Sequence, residues 1–389
     1  MEVVNGLRDV IAAETTISRI DLEDGKAILE YRGYDIRDLA KHSNYEEVAY
    51  LLLFGELPSK SELEAFSEEL KERRDLPPQI IGLLTHLSPF CHPMVALRTA
   101  VSYLGTMDRR IAFKNKEESL EKAKNLIAKF PTIVAYFHRI RMGERIIPPN
   151  DNLNHAANFL YMLHGEEPSK TEERAMDLDF ILHAEHEFNA STFAARVAAS
   201  TLADMYACIV AATGTLMGPL HGGAAQEVMK MLREVAVPWR AEIYVKEKLD
   251  RGERIMGFGH RVYKNVMDPR TIELKKLAKK LAEEKESKWF KISEAIEEAV
   301  RKYKGLLPNV DFYSASVYAC LRIPDDLFIN IFAIGRIAGW CAHIIEQYEN
   351  NNLIRPRAKY TGPVSRESVS YTHLRAHETS LHLVCRLLL

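Results

Sequence analysis

Apolar residues along the chain recur mostly at three- and four-residue intervals, and strand-like alternation is confined to the first 35 positions. In that opening stretch Ile17, Ile20, Ile28 and Tyr31 flank Asp24-Gly25, which predicts a short β-hairpin. From Ile36 onward the spacing predicts helices. Asn44, followed by Glu46-Glu47 and the run Val48, Tyr50, Leu51, Leu52 and Leu53, reads as a capped helix that Gly55 and Pro58 end. An amphipathic helix follows over 59–73, with Pro77-Pro78 as its stop. Further helices are expected over 93–103, 117–142, 155–163, 171–187, 191–213, 224–235, 243–250, 272–303, 314–321 and 327–350. The expected fold class is all-α with a minor N-terminal β-hairpin.

Composition adds mainly exclusions. The 389 residues are 47% hydrophobic and 27% charged, which is ordinary for a soluble globular protein. With 52 Lys plus Arg against 54 Asp plus Glu, the net charge of -2 offers no general field for nucleic acid or an anionic membrane. Five scattered cysteines without a CxxC spacing indicate a reducing compartment and no disulfide framework or thiolate metal site. Residues 1–15 carry Glu2, Arg8, Asp9 and Glu14 and lack the apolar centre of a signal peptide. The most apolar long stretch is read as 190–220, where Arg196 and Asp204 interrupt any membrane span. A cytoplasmic protein is expected.

The small residues over 191–213 suit a helical layer or a subunit contact, and the acids and bases over 275–304 suit a solvated face. No repeat or low-complexity linker appears, so a second domain is expected as an insertion. At 369–389 the character changes, with His373, His377 and His382 before a Leu-rich end. That segment reads as a non-native or disordered tail, a metal-binding tail being the alternative.

Four segments carry candidate chemistry. In His183-Ala184-Glu185-His186-Glu187-Phe188-Asn189 the two histidines read as neighbours on one helix face. They suit a buried hydrogen-bonded pair, a metal site lacking an obvious third ligand, or a substrate site using His186 and Asn189. In Gly218-Pro219-Leu220-His221-Gly222-Gly223 a histidine precedes a helix start, where backbone N–H groups and the helix dipole favour negative charge. Met256-Gly257-Phe258-Gly259-His260-Arg261-Val262-Tyr263-Lys264, with Asp268-Pro269-Arg270, has Val262 in place of a dinucleotide fingerprint's third glycine. It suits a multiply charged anion or a solvated basic loop. Finally, Asp311 in Asn309-Val310-Asp311 is either a helix cap or, beside two histidines and several arginines, a general base.

In combination these segments resemble the citrate synthase family, in its shorter prokaryotic form. The likeness runs from about Leu7 to Pro363 through Tyr31-Arg32-Gly33-Tyr34, LLLFGELP at 51–58, His92-Pro93-Met94, HAEHEFNAS, GPLHGGA, GFGHRVYK, NVDFYSA and Arg355-Pro356-Arg357. It departs from the family at Glu185, where Asp is common, and at Phe90-Cys91. The resemblance implies a two-domain helical fold: a large domain over 1–221 and 314–368, and an inserted mobile small domain over 222–313. It implies a homodimer that condenses acetyl-CoA with oxaloacetate without a metal or other cofactor. His221, His260 and Asp311 would then be catalytic, and His186, Arg270, Arg336 and Arg355 would bind oxaloacetate, Arg355 by reaching the neighbouring subunit's site. Arg261 and Lys264 would lie near the CoA phosphates. The rivals are a 2-methylcitrate synthase using propionyl-CoA, a non-catalytic helical scaffold or metabolite-binding dimer, and a metal enzyme using His183 and His186.

Overall fold

The computed structural model describes residues 4–7, 10–112, 115–260, 262–263 and 266–366. The expected tail and the candidates Arg261 and Lys264 lie outside the described residues. Residues 13–354 form one compact unit. A second unit takes the two ends, residues 1–12 and 355–389; among its described residues are a 3-10 turn over Asn5–Leu7 and irregular chain from Arg355 onward.

The hairpin forms where expected. Strand β1 (Ser18–Glu23) pairs antiparallel with β2 (Lys26–Tyr31), and a short β3 (Tyr34–Asp35) adds to β2. Glu23 faces Lys26 across a two-residue loop in which Asp24 and Gly25 both have positive φ, 49° and 72°. A tight loop with the right-handed twist of its strands requires that backbone, and Asp-Gly adopts it at low cost.

Sixteen α-helices follow among the described residues: α1 (Ile36–His42), α2 (Tyr45–Phe54), α3 (Lys60–Glu72), α4 (Pro78–His86), α5 (Pro93–Met107), α6 (Lys116–Arg141), α7 (His155–His164), α8 (Lys170–His183), α9 (Ala190–Ser200), α10 (Met205–Leu216), α11 (Ala224–Val235), α12 (Ala241–Asp250), α13 (Pro269–Glu284), α14 (Trp289–Lys304), α15 (Val310–Cys320) and α16 (Phe328–Glu349). Local chemistry sets many of the ends. Asn44 caps α2, and Ser59 with Glu62 and Ser169 with Glu172 form reciprocal capping boxes on α3 and α8. Each such cap contributes about 1 kcal/mol.

Several helices differ from expectation. The 59–73 helix ends before Pro77-Pro78 as expected, but Pro78 also starts α4, a helix not expected there, because proline at the first helical position loses only a donor that has no partner there. The stretch 191–213 is two helices, split at Leu202 with φ 60° and restarted by Asp204, whose side chain caps α10. The stretch 272–303 also divides, at Glu286 with φ 50°. The helix expected over 171–187 ends at His183, so His183 and His186 do not share a helix face. The longest apolar helical stretch is 325–349 rather than 190–220; it is apolar enough for a bilayer, yet it lies wholly inside the protein as its central helix.

Helix α16 packs against α2, α5, α6, α8, α9, α10 and α11, and α15 against α11, α13 and α14. Where α16 crosses α8, a Cβ on Gly335 would stand 3.0 Å from the Phe180 carbonyl and 3.1 Å from His183 Cβ. The bare glycine permits that approach and seats Arg336 against the end of α8.

Candidate active site

The glycine loop is held by pairing with the chain before α15. Phe258 bridges Pro308 antiparallel, Gly259 N–H donates to Leu307 O at 2.9 Å, and Asn309 N–H donates to Gly257 O at 2.9 Å. Gly257 has φ 81°, and a Cβ there would come within 2.7 Å of Val228 and 2.9 Å of Phe312. Glycine is required twice over, by conformation and by space. The pairing delivers His260 beside the first turn of α15. There its Nδ1 accepts from the backbone N–H groups of Val262 and Tyr263, both at 3.1 Å. Two donors into Nδ1 place the proton of the neutral ring on Nε2, which can then donate to a ligand. Burial, reinforced by nearby Arg270, pushes the imidazole down to about 4, so neutral is its form at pH 7.

Asp311 is not the helix cap. Asn309 caps α15, its Oδ1 accepting from the Asp311 N–H at 3.1 Å, and Asp311 occupies the second helical position. Its Oδ1 is buried without a protein partner among the described residues, although the residue as a whole keeps partial exposure. Burial pushes this carboxyl up to about 6 against the opposing pull of His183, Arg270 and Arg336, with Asp268 adding to the rise. A carboxylate so raised is a competent base near neutral pH.

His221 sits in the turn between α10 and α11, where its own N–H donates to Gly218 O at 2.9 Å and the following Gly222 N–H to Leu216 O at 2.9 Å. Its Nε2 lies 2.9 Å from Ser191 Oγ and accepts from the Ser191 backbone N–H at 3.3 Å. That bonding assigns the neutral ring's proton to Nδ1. Burial, with Arg336 second, pushes His221 down to about 4. The ring stands 6.1 Å from that of Phe332, which also contacts His183 at 4.7 Å and carries the Arg336 guanidinium at 4.8 Å.

The segment after α8 turns through Glu187, with φ 52°, and projects His186 toward His260, ring centroids 5.4 Å apart. His186 Nε2 is buried without a protein partner among the described residues, and burial with Arg270, His260 and Arg336 holds the imidazole well below its ordinary pKa. Arg336 Nε donates to His183 O at 2.5 Å and Nη1 has no protein partner. Burial brings its guanidinium down to about 10, still charged at neutral pH. Arg270 Nε and Nη2 donate to the two carboxylate oxygens of Asp268 at 3.0 and 2.7 Å, leaving the outer Nη1–Nη2 edge for any ligand. Arg355 is exposed and belongs to the second unit. His183 Nδ1 bonds the Asp179 carbonyl at 2.9 Å. Among the described residues no three His, Cys, Asp or Glu side chains gather to hold an ion.

Glu185, the departure noted in the sequence, is fully buried and accepts from Ser18 Oγ at 3.0 Å and His343 Nε2 at 2.9 Å. Burial raises its carboxyl, but His343 and Arg336 more than offset this and hold it below the usual range. It anchors the turn that carries His186. Sequence reading missed Ser191 and Phe332, whose parts depend on partners distant in the chain, and assigned no role to Tyr263, whose ring stacks on His260 of its own loop. Ser191, two residues after the Asn189 cap of α9, carried the only visible signal.

The arrangement combines a buried carboxylate base, two neutral imidazoles with defined donor nitrogens, and buried cationic and imidazole donors. This set can remove a carbon-bound proton while stabilising an enolate, beside a pocket for an anion. The family model described as "Citrate synthase, C-terminal domain" matches residues 6–357. The chain is 49% identical over 367 residues to a citrate synthase of Haloferax volcanii, covering 93% of this chain and 96% of that one. It is 42% identical over 366 residues to a 2-methylcitrate synthase of Shewanella oneidensis, covering 94% and 96%. Among solved structures, a ternary complex of carboxymethyl coenzyme A and oxaloacetate with citrate synthase from Thermoplasma acidophilum superposes with a TM-score of 0.89 at 34% identity, covering 96% of this chain and 99% of that one.

Proposed function

The chain belongs to the citrate synthase family, and we propose that it condenses acetyl-CoA with oxaloacetate and hydrolyses the resulting citryl-CoA to citrate and CoA. The observation that carries this reading is the pairing of an unpartnered, raised Asp311 carboxylate with two neutral histidines whose free N–H groups differ, Nδ1 on His221 and Nε2 on His260. Asp311 takes a proton from the acetyl methyl. His221 Nδ1–H donates to the thioester oxygen as negative charge develops there, which a lone carboxylate of this basicity would not achieve. The enol carbon attacks the ketone carbon of oxaloacetate. His260 Nε2–H polarises the ketone oxygen and delivers its proton as the new hydroxyl forms. Water then cleaves the thioester. His186, Arg270 Nη1 and Arg336 Nη1 hold the oxaloacetate carboxylates through charge-assisted hydrogen bonds.

The reading extends to a cytoplasmic homodimer in which Arg355 completes the partner's site, Arg261 and Lys264 meet the CoA phosphates, and no metal takes part. It also includes an inserted small domain over 222–313. The need to shield an enol from water supports a segment that closes, while the packing of α15 on α11, α13 and α14 favours a boundary after α15 rather than within it. Crystal structures with and without oxaloacetate are expected to differ by a rotation of this segment against the remainder; superposition as a single rigid body counts against it.

The close alternative is propionyl-CoA as donor, favoured by relatives such as the 2-methylcitrate synthase at 42% identity. One methylene in a pocket discriminates by only about 1–3 kcal/mol. CoA release in the presence of oxaloacetate is expected to show a higher kcat/KM for acetyl-CoA than for propionyl-CoA. A reversed ratio reassigns the donor, and no release with either donor removes the proposed activity.

A further inference from the structure

Around His260 the described residues leave four buried polar atoms without a protein partner: His186 Nε2, Asp311 Oδ1, Arg336 Nη1 and the hydroxyl of Tyr263. The first three already have parts in the reaction. The fourth does not, although it lies within the glycine-loop segment singled out in the sequence. Tyr263 is 2% exposed. Its ring stacks on His260 at 4.5 Å and 27°, and meets His186 edge-on at 5.7 Å. The titratable groups that act on its hydroxyl are Arg270 and Asp268, and less strongly Tyr31 and Glu187. An unpartnered hydroxyl in such a place costs free energy in the resting protein, and a protein retains such a group where a ligand supplies the partner.

Resting on the proposed activity, we infer that Tyr263 is a further oxaloacetate-binding residue, its hydroxyl donating a hydrogen bond to a substrate carboxylate while its ring holds His260 against the ketone. The placement fits a dianion. Arg270 commits its Nε–Nη2 edge to Asp268 and keeps its outer Nη1–Nη2 edge for one carboxylate, and Tyr263 adds a donor from the loop that carries His260. Burial raises the phenol, so the hydroxyl stays protonated and can only gain by donating to an anion.

Tyr263→Phe removes the hydroxyl and keeps the stacked ring, and since that oxygen has no protein partner the variant has no reason to misfold. Calorimetric titration with oxaloacetate alone should show the dissociation constant rising roughly 10- to 100-fold, the loss expected for a buried hydrogen bond to a charged group. The KM for oxaloacetate should rise in parallel and kcat fall by a smaller factor, with the KM for acetyl-CoA within about threefold. Without ligand, the variant's melting temperature should equal or exceed that of the wild type, whereas a merely structural hydroxyl would lower it. Wild-type affinity for oxaloacetate in the variant, or an equal loss for both substrates with a lower melting temperature, overturns the inference and leaves the proposed activity standing. Failure of the wild-type protein itself to bind oxaloacetate overturns the proposed activity instead.

Discussion

Replacing Asp311 with Asn is expected to lower turnover roughly 10²- to 10⁴-fold, the range typical of losing a positioned general base, while oxaloacetate affinity stays within a few-fold. Asn keeps the size of the side chain and both of its polar atoms. Because Asn309 already caps α15, no cap is lost, and the change isolates the proton-accepting role. The carboxyl sits at about 6 because burial outweighs Arg270 and Arg336, so the enzyme should lose kcat/KM as pH falls through about 6. His221 and His260 do not set that limb, since burial holds both near 4 and they stay neutral throughout it.

The same shift gives the variant a stability signature. Asp311 binds its proton more tightly folded than unfolded, so between about 6 and the ordinary value of 3.8 the native state gains stability as pH falls. Above pH 6 the buried charge costs its full amount. Asp311→Asn should therefore melt above the wild type at pH 7, and the gap should close as pH falls toward 4. Normal turnover in the variant, or a lower melting temperature at pH 7, would falsify the role assigned to Asp311.

Much of the fold was legible because it rests on local chemistry. The Asp24-Gly25 loop, the Asn44 cap and the capping box at Ser59 each announce themselves within a few residues. The missed boundaries carry weaker signals. Leu202 and Glu286 take left-handed conformations that their residue types do not favour, and only the Asp204 cap of α10 marks either break locally. Helix α4 was missed because proline, read only as the end of the helix before it, also begins helices. Glu187 ends the likeness of 171–187 to one helix for a tertiary reason: Glu185 is drawn into contact with Ser18 and His343, 167 and 158 positions away.

The site divides in the same way. Histidines next to glycines and an Asp beside Asn309 stand out in the sequence, since few structural needs call for them together. Their protonation states do not. The donor nitrogen of His260 is decided by two backbone N–H groups of its own loop, and that of His221 by Ser191 on another helix. Tyr263 looks like any loop tyrosine until its hydroxyl is found buried and without a protein partner.

Those assignments separate the two histidines experimentally. His221→Ala removes the donor to the thioester oxygen, and turnover should fall on the order of 10²- to 10³-fold, as for loss of a comparable oxyanion donor. Enolisation itself is impaired, so exchange of the acetyl-CoA methyl protons with deuterated solvent should slow by a similar factor when a non-reactive oxaloacetate analogue is bound. His260→Ala instead removes the donor to the ketone and should stop condensation, while methyl exchange, which needs only Asp311 and His221, persists within about tenfold of the wild type. Because His260 stacks on Tyr263 and faces His186, its variant should also bind oxaloacetate more weakly, whereas His221→Ala, whose ring is engaged with Ser191, should not. If both variants lose exchange equally, the two imidazoles act in a single step and the division of labour drawn from their hydrogen bonds is wrong.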